Sequence, residues 1–134
     1  MTPKVVTNQL IKMSLDVYLT SAEEKEVVCS YCDQPHMENE ELYWGNITHN
    51  LGDMAEKAGI YKALWRPEEL KANRAEQIIP LLKMGLRELL NNPEEFKKLD
   101  SKNGWGTYEP FVGFVTKYLE ACEANPTAII NVSR

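Results

Sequence analysis

The last third of the chain carries the pattern that most constrains the fold, an apolar stripe with helical spacing. Its members recur every three or four residues: Tyr108, Phe111, Val112, Val115, Tyr118, Leu119 and Cys122. This spacing places them all on one face of an α-helix. A helix of this kind is stabilised mainly by burying its apolar face against other elements. The stripe therefore predicts a helix that Thr107 caps, that ends before Asn125-Pro126 and that packs on a core.

A different period marks the strands. Leu15, Val17 and Leu19 alternate with Asp16 and Tyr18, and alternation with a period of two is typical of a half-buried strand. We predict a second short strand at residues 27–28, a third over residues 41–47 and a last strand over residues 128–132. Residues 30–41 are polar and contain a proline, so we expect a loop or a metal knuckle there.

Four further helices are predicted between the third and the last strand. Asn50 is placed to cap a helix that Gly59 ends, and a short helix over residues 60–65 follows. An apolar stripe predicts a longer helix over residues 74–90, which either begins near Ile79, with Pro80 in its first turn, or is kinked at Pro80. Asn92-Pro93 is a typical helix start.

Together the elements predict an α+β fold, a small antiparallel sheet with about four helices packed on it. We assign residues 13–134 to this single domain and residues 1–12 to an N-terminal extension.

Charge and length exclude several classes of protein. The chain has 134 residues and a formal net charge of −5. An acidic balance disfavours binding to nucleic-acid polymers, which requires Lys and Arg to neutralise phosphates. No apolar run approaches the roughly 20 residues of a membrane-spanning helix, and the first residues lack a secretory signal pattern. The three cysteines are a poor basis for a disulfide framework. We therefore expect a cytoplasmic protein that does not act on a membrane.

Two long motifs carry a resemblance to a known family. They are residues 43–69 (YWGNITHNLGDMAEKAGIYKALWRPEE) and residues 103–123 (NGWGTYEPFVGFVTKYLEACE), and residues 13–19 and the ending Val132-Ser133-Arg134 add to them. On these residues the chain resembles a family of small uncharacterised proteins met in phage genomes and in bacteria. The resemblance implies an accessory or counter-defence role, in the cytoplasm of the host cell if a phage encodes the protein. It also implies that the segment from Cys29 to His36 is a variable insert.

That segment is the candidate metal site. Cys29 and Cys32 have the Cys-x2-Cys spacing that directs two thiolates at one tetrahedral metal ion. His36 is a candidate third ligand, and His49, Cys122 or a water molecule is a candidate fourth. A complete zinc site usually has two such pairs. Three interpretations stay open: a structural zinc ion, two thiols without a metal, and a redox pair.

Two junctions supply candidate ligand-binding residues. His49 and Asn50 lie where a strand ends and a helix begins, and the free N–H groups of a helix start favour an anion. The alternative is plain helix capping. Trp65 and Arg66 offer a π face and a planar cation, suited to a nucleobase and a phosphate. The alternative for this pair is a core tryptophan beside a surface ion pair.

A glycine-rich loop adds the other candidates, Asn103, Trp105 and Tyr108. The glycines on either side of Trp105 permit unusual backbone angles and the close approach of a partner. The alternative is a tight turn in which Trp105 fills the core.

We therefore expect a non-catalytic protein that binds a small anionic or nucleotide-like ligand, for example as a counter-defence sponge. A second hypothesis is an inhibitor of a host defence protein whose acidic surface contacts a basic partner. A zinc-dependent enzyme is a third and weaker hypothesis. Apart from zinc we expect no cofactor, and a homo-oligomer is compatible with each hypothesis.

Overall fold

The computed structural model describes residues 14–28, 31–32, 34–102 and 104–134. They form a three-stranded antiparallel sheet of β1 (Ser14–Val28), β2 (Pro35–Thr48) and β3 (Ile129–Ser133), in the order β2-β1-β3. The predicted last strand thus returns to pair with the first strand of the chain. The extension predicted for residues 1–12 lies outside the described residues.

The helices lie between β2 and β3 in the chain. They are α1 (Gly52–Ala58), α2 (Tyr61–Trp65), α3 (Ala75–Asn91), α4 (Pro93–Lys97) and α5 (Tyr108–Ala124), with 3₁₀ turns at His49–Leu51 and Pro67–Leu70. The three substantial ones, α1, α3 and α5, pack with the sheet, and this confirms the predicted α+β class. Among the described residues, no helix is both long enough and apolar enough to cross a membrane.

One hydrophobic core joins the sheet to the helices. The alternating residues Leu15, Val17 and Leu19 of β1 are fully buried, which confirms the predicted strand. The apolar stripes of the two long helices close the core from the other side, with Ile78, Leu82 and Leu89 from α3 and Phe111, Val115, Tyr118 and Cys122 from α5. In the part of the chain that the structure describes, helices cover only this face of the sheet, so Asp16 and Tyr18 point away from the core.

The first two strands are longer than predicted. Residues 27–28 are the end of β1 and not a separate strand, and β2 begins at Pro35 inside the segment predicted as a loop or knuckle. β3 pairs with β1 only from Asp16 to Thr20. Beyond that point β1 and β2 continue as a pair of antiparallel strands without β3, residues 21–28 and 35–42, which we call the arm. The pattern missed the arm because most of its described side chains are solvent-exposed on both faces, so no apolar alternation marks it.

The helix starts also differ from the predicted caps. Asn50 is not an N-cap: Thr48 caps the 3₁₀ turn by accepting from the Asn50 N–H (3.3 Å). Thr107 is the N-cap of α5, but Asp100 Oδ1 takes the first N–H of that helix, from Tyr108 (2.8 Å). Gly59 ends α1 in the left-handed conformation (φ 80°), as predicted.

The long helix α3 includes its proline. It begins at Ala75, and Pro80 lies inside it, in the second turn. The Gln77 side-chain oxygen accepts the N–H groups of Asn73 and Arg74, both at 2.8 Å. These bonds fix the start of the helix upstream of Pro80, so the proline does not mark where it begins.

Candidate functional site

A cleft of about 900 Å³ opens where β2 passes into the first helices. Chain segments that are distant in the sequence meet there, namely the 48–53 turn, α2 and the last residue. The lining residues are His49, Asn50, Gly52, Asp53, Glu56, Tyr61, Trp65, Arg66 and Arg134. The structure thus brings together both predicted junctions, His49-Asn50 and Trp65-Arg66. Fourteen residues lie between the two junctions in the sequence.

Trp65 forms the wall of the cleft. Its side chain is buried, with 3% of its surface exposed, and its ring stacks on Tyr61 at a centroid distance of 5.2 Å. The indole N–H donates to Nδ1 of His49 (2.8 Å). Because an indole nitrogen can only donate, Nδ1 of His49 must accept, and the neutral imidazole carries its proton on Nε2. Trp65 therefore positions His49 and Tyr61 and offers little ring surface of its own to a ligand.

Two guanidinium groups supply the positive charge of the cleft. Arg66 Nη1 lies 3.7 Å from Glu69 Oε2. Arg134 pairs with both carboxylate oxygens of Glu68 (2.8 and 3.2 Å) and also donates to the Trp65 carbonyl (3.0 Å). These contacts orient both arginines at the cleft.

The same contacts act on Glu68. Its pKa lies below the usual glutamate value, first because of a backbone hydrogen bond at Glu68 itself and further because Arg134 and Arg66 are close. The carboxylate therefore stays charged and keeps Arg134 in place across the neutral pH range.

Carboxylates line the same cleft. Asp53 and Glu56 lie three residues apart on α1, which places them on one face of the helix. Both side chains are exposed. The cleft thus combines guanidinium donors with carboxylate acceptors, and it suits a ligand that carries both an anionic group and hydrogen-bond donors.

The glycine-rich loop packs beside this cleft. The Asn50 side-chain amide donates to the carbonyl of Trp105 (2.9 Å). Gly106 has φ 103°, and a Cβ there would lie 3.0 Å from Cβ of Asn50 and 3.1 Å from the Thr48 methyl group. Only glycine permits this approach without strain. Trp105 itself is 64% exposed, so it does not fill the core, and its partner in the predicted site, Asn103, lies outside the described residues.

Tyr108 is placed elsewhere. Its ring is buried in the core, and its hydroxyl donates to the Leu89 carbonyl (2.7 Å). It does not line the cleft. The hydroxyl ties the first turn of α5 to the end of α3, and this contact accounts for an aromatic residue at that position.

The candidate metal ligands are only partly described. Cys32 is exposed, whereas Cys29 and the side chain of His36 lie outside the described residues. Cys122 is buried in α5, and burial raises the pKa of its thiol to about 12, which disfavours the thiolate that zinc binds. Within the described ranges, no three His, Cys, Asp or Glu side chains are grouped to hold a metal ion. The zinc ion predicted for the segment from Cys29 to His36 stays a prediction.

Sequence reasoning missed five lining residues: Gly52, Asp53, Glu56, Tyr61 and Arg134. The i,i+3 spacing of Asp53 and Glu56 is a visible signal once α1 is assigned. For Arg134 the only signal is its place in the Val132-Ser133-Arg134 ending, because its contacts with α2 and Glu68 depend on the pairing of β3 with β1.

The chain matches no model of a known family, no curated protein and no solved structure. The geometry of the cleft and of the sheet is therefore what indicates a function for this protein.

Proposed function

We propose that the protein binds a small, anionic, nucleotide-like ligand in the cleft and sequesters it without chemical turnover. The observation that carries the proposal is the meeting of Arg66 and Arg134 with the half-buried ring of Tyr61 and the carboxylates of Asp53 and Glu56 in one cleft. Each of these groups suits a different part of a nucleotide.

The guanidinium groups suit the phosphate. Arginine presents five N–H donors in a planar fork that matches phosphate oxygens, so a single carboxylate partner does not exhaust them. Glu68 and Glu69 orient the two arginines before a ligand arrives. Such preorganisation reduces the entropy lost on binding.

Tyr61 suits the base. One face of its ring is held against Trp65 with an interplanar angle of 10°. The ring is half-buried at the cleft, where its accessible part offers a flat, fixed surface to a planar base. We therefore assign the stacking on the base to Tyr61, whereas the sequence indicates Trp65 for this role.

Asp53 and Glu56 suit hydrogen-bond donors on the ligand, such as ribose hydroxyls or an exocyclic amino group. They also repel a bare phosphate ion, because like charges in one site disfavour binding. The cleft should therefore prefer a nucleotide to inorganic phosphate.

A phage or bacterial origin, which the two sequence motifs imply, would give such binding a biological setting. A phage protein that holds a nucleotide signal would lower its free concentration and so dampen the host response. Stoichiometric capture of this kind requires tight binding and no catalysis.

Isothermal titration calorimetry with mono-, di- and cyclic dinucleotides tests the proposal. We expect at least one nucleotide to bind with a stoichiometry of one per cleft. Arg66→Gln should weaken it by about 10- to 100-fold, since hydrogen bonds to charged groups contribute about 1.5–3 kcal/mol.

Arg87→Gln is the matched control, because Arg87 lies on α3 beside a different groove. It should leave the affinity unchanged. Absence of binding by every nucleotide in the panel, or an equal loss in both variants, contradicts the proposal.

A further inference from the structure

The face of the sheet that the helices leave uncovered presents an aromatic pair. Tyr18 of β1 lies directly opposite Trp44 of β2 and directly opposite Asn131 of β3. Directly opposed residues on one face have Cβ atoms about 5 Å apart. The two rings are therefore neighbours on the open face, and the Trp44 side chain is 53% exposed.

A carboxylate lies beside this pair. Oδ1 of Asp16 accepts from the Trp44 indole N–H (3.2 Å) and from the Asn46 amide (2.7 Å). The indole is thus held by its edge, and about half of the side-chain surface stays exposed. An aromatic face next to a carboxylate is an arrangement that attracts a guanidinium or ammonium group.

The arm extends the same two strands and carries the negative charge of the protein. The arm contains six acidic residues and one lysine, a formal charge of −5, which equals that of the whole chain. The remainder of the chain is thus neutral overall. Glu24, Glu26 and Glu41, among others on the arm, are exposed. Exposed apolar side chains, Met37 (54%) and Leu42 (37%), lie among them.

We propose that the open face and the arm together form a docking surface for a basic, arginine-containing segment of a partner protein. Charge complementarity selects this occupant: the arm attracts cations and repels the phosphates of a nucleic acid. Tyr18 and Trp44 add stacking surface that a guanidinium group uses better than an ammonium group does. This interaction is separate from the cleft and does not depend on it.

Fluorescence anisotropy with a labelled arginine-rich peptide tests the proposal, with a lysine-rich peptide of equal charge and a glutamate-rich peptide beside it. We expect the arginine peptide to bind best and the glutamate peptide not at all. Binding should weaken about tenfold between low and physiological salt, since exposed charges are screened.

Matched variants separate this surface from general electrostatics. Trp44→Ala should weaken arginine-peptide binding about tenfold, whereas Trp105→Ala, which removes another exposed tryptophan, should not. Glu24→Gln with Glu26→Gln should weaken it about three- to tenfold. The control pair, Glu109→Gln with Glu120→Gln on the exposed side of α5, changes the net charge equally and should have no effect.

The proposal is overturned by equal losses with both glutamate pairs, by unchanged binding of the Trp44→Ala variant, or by the absence of peptide binding at low salt. A dimer that dissociates on Trp44→Ala also overturns it, because the face would then be an interface between copies; sedimentation velocity measures this. Circular dichroism confirms that each variant is folded.

Discussion

The cleft and the arm use charge in opposite ways. In the cleft, Arg134 is paired with Glu68 and Arg66 lies near Glu69, and a buried tryptophan holds the wall. On the arm, acidic side chains outnumber basic ones and most are exposed. Paired, preorganised charges favour selectivity for one small ligand, whereas a field of one sign favours fast and salt-sensitive association. The same small domain thus carries one surface suited to selection and one suited to attraction.

The two regions should differ most in the stability that is lost when a tryptophan is removed from each. Trp65→Ala deletes a buried ring, leaves a cavity and removes the donor to His49. It should lower the free energy of unfolding by about 3–5 kcal/mol. Trp44→Ala on the open face removes a half-exposed ring and should cost at most about 1 kcal/mol.

Urea denaturation followed by circular dichroism measures both variants. If Trp44→Ala destabilised the protein as much as Trp65→Ala, the open face would be part of the structural core. It would then not be a free surface.

A smaller loss of stability should show that the glycine-rich loop packs against the residues of the cleft. Gly106→Ala forces a side chain into a left-handed conformation and into contact with Asn50 and Thr48. We expect a loss of about 2–3 kcal/mol in unfolding free energy, the sum of backbone strain and crowding. Gly104 has φ 80° but open space around it, so Gly104→Ala should cost only about 1 kcal/mol.

The difference between these two variants measures the packing of the loop on the 48–53 turn. Thermal or urea unfolding of both proteins gives it directly. Equal losses would mean that the loop does not depend on its contacts with the turn, and the loop would then have no role in shaping the cleft.

The comparison of the cleft with the arm also shows which parts of the structure can be predicted from the sequence and which cannot. Where one face of an element is buried, periodicity predicts it, as for α5 and for Leu15–Leu19 in β1. The arm has no buried face and therefore no period. His49 and Arg66 are recognisable as candidates from their residue types and positions. That Arg134 joins them follows from the pairing of β3 with β1, and a single sequence contains no local signal of that pairing.

The Glu68→Gln substitution should give the smallest change in stability. It tests most directly which contacts hold Arg134 at the cleft. The pKa of Glu68 is lowered in the folded protein, so its contribution to stability is complete above the pKa of the unfolded chain and is lost as the pH falls through the folded value. The stability difference between the wild type and Glu68→Gln should therefore be constant near neutral pH and shrink below the ordinary glutamate pKa of about 4.3. Urea denaturation at a series of pH values measures it. Glu68 is exposed and close to Arg134, so the difference should also shrink with added salt. A difference that did not change with pH would show that the Glu68 carboxylate does not position Arg134, and the position of Arg134 would then depend on its hydrogen bond to the Trp65 carbonyl.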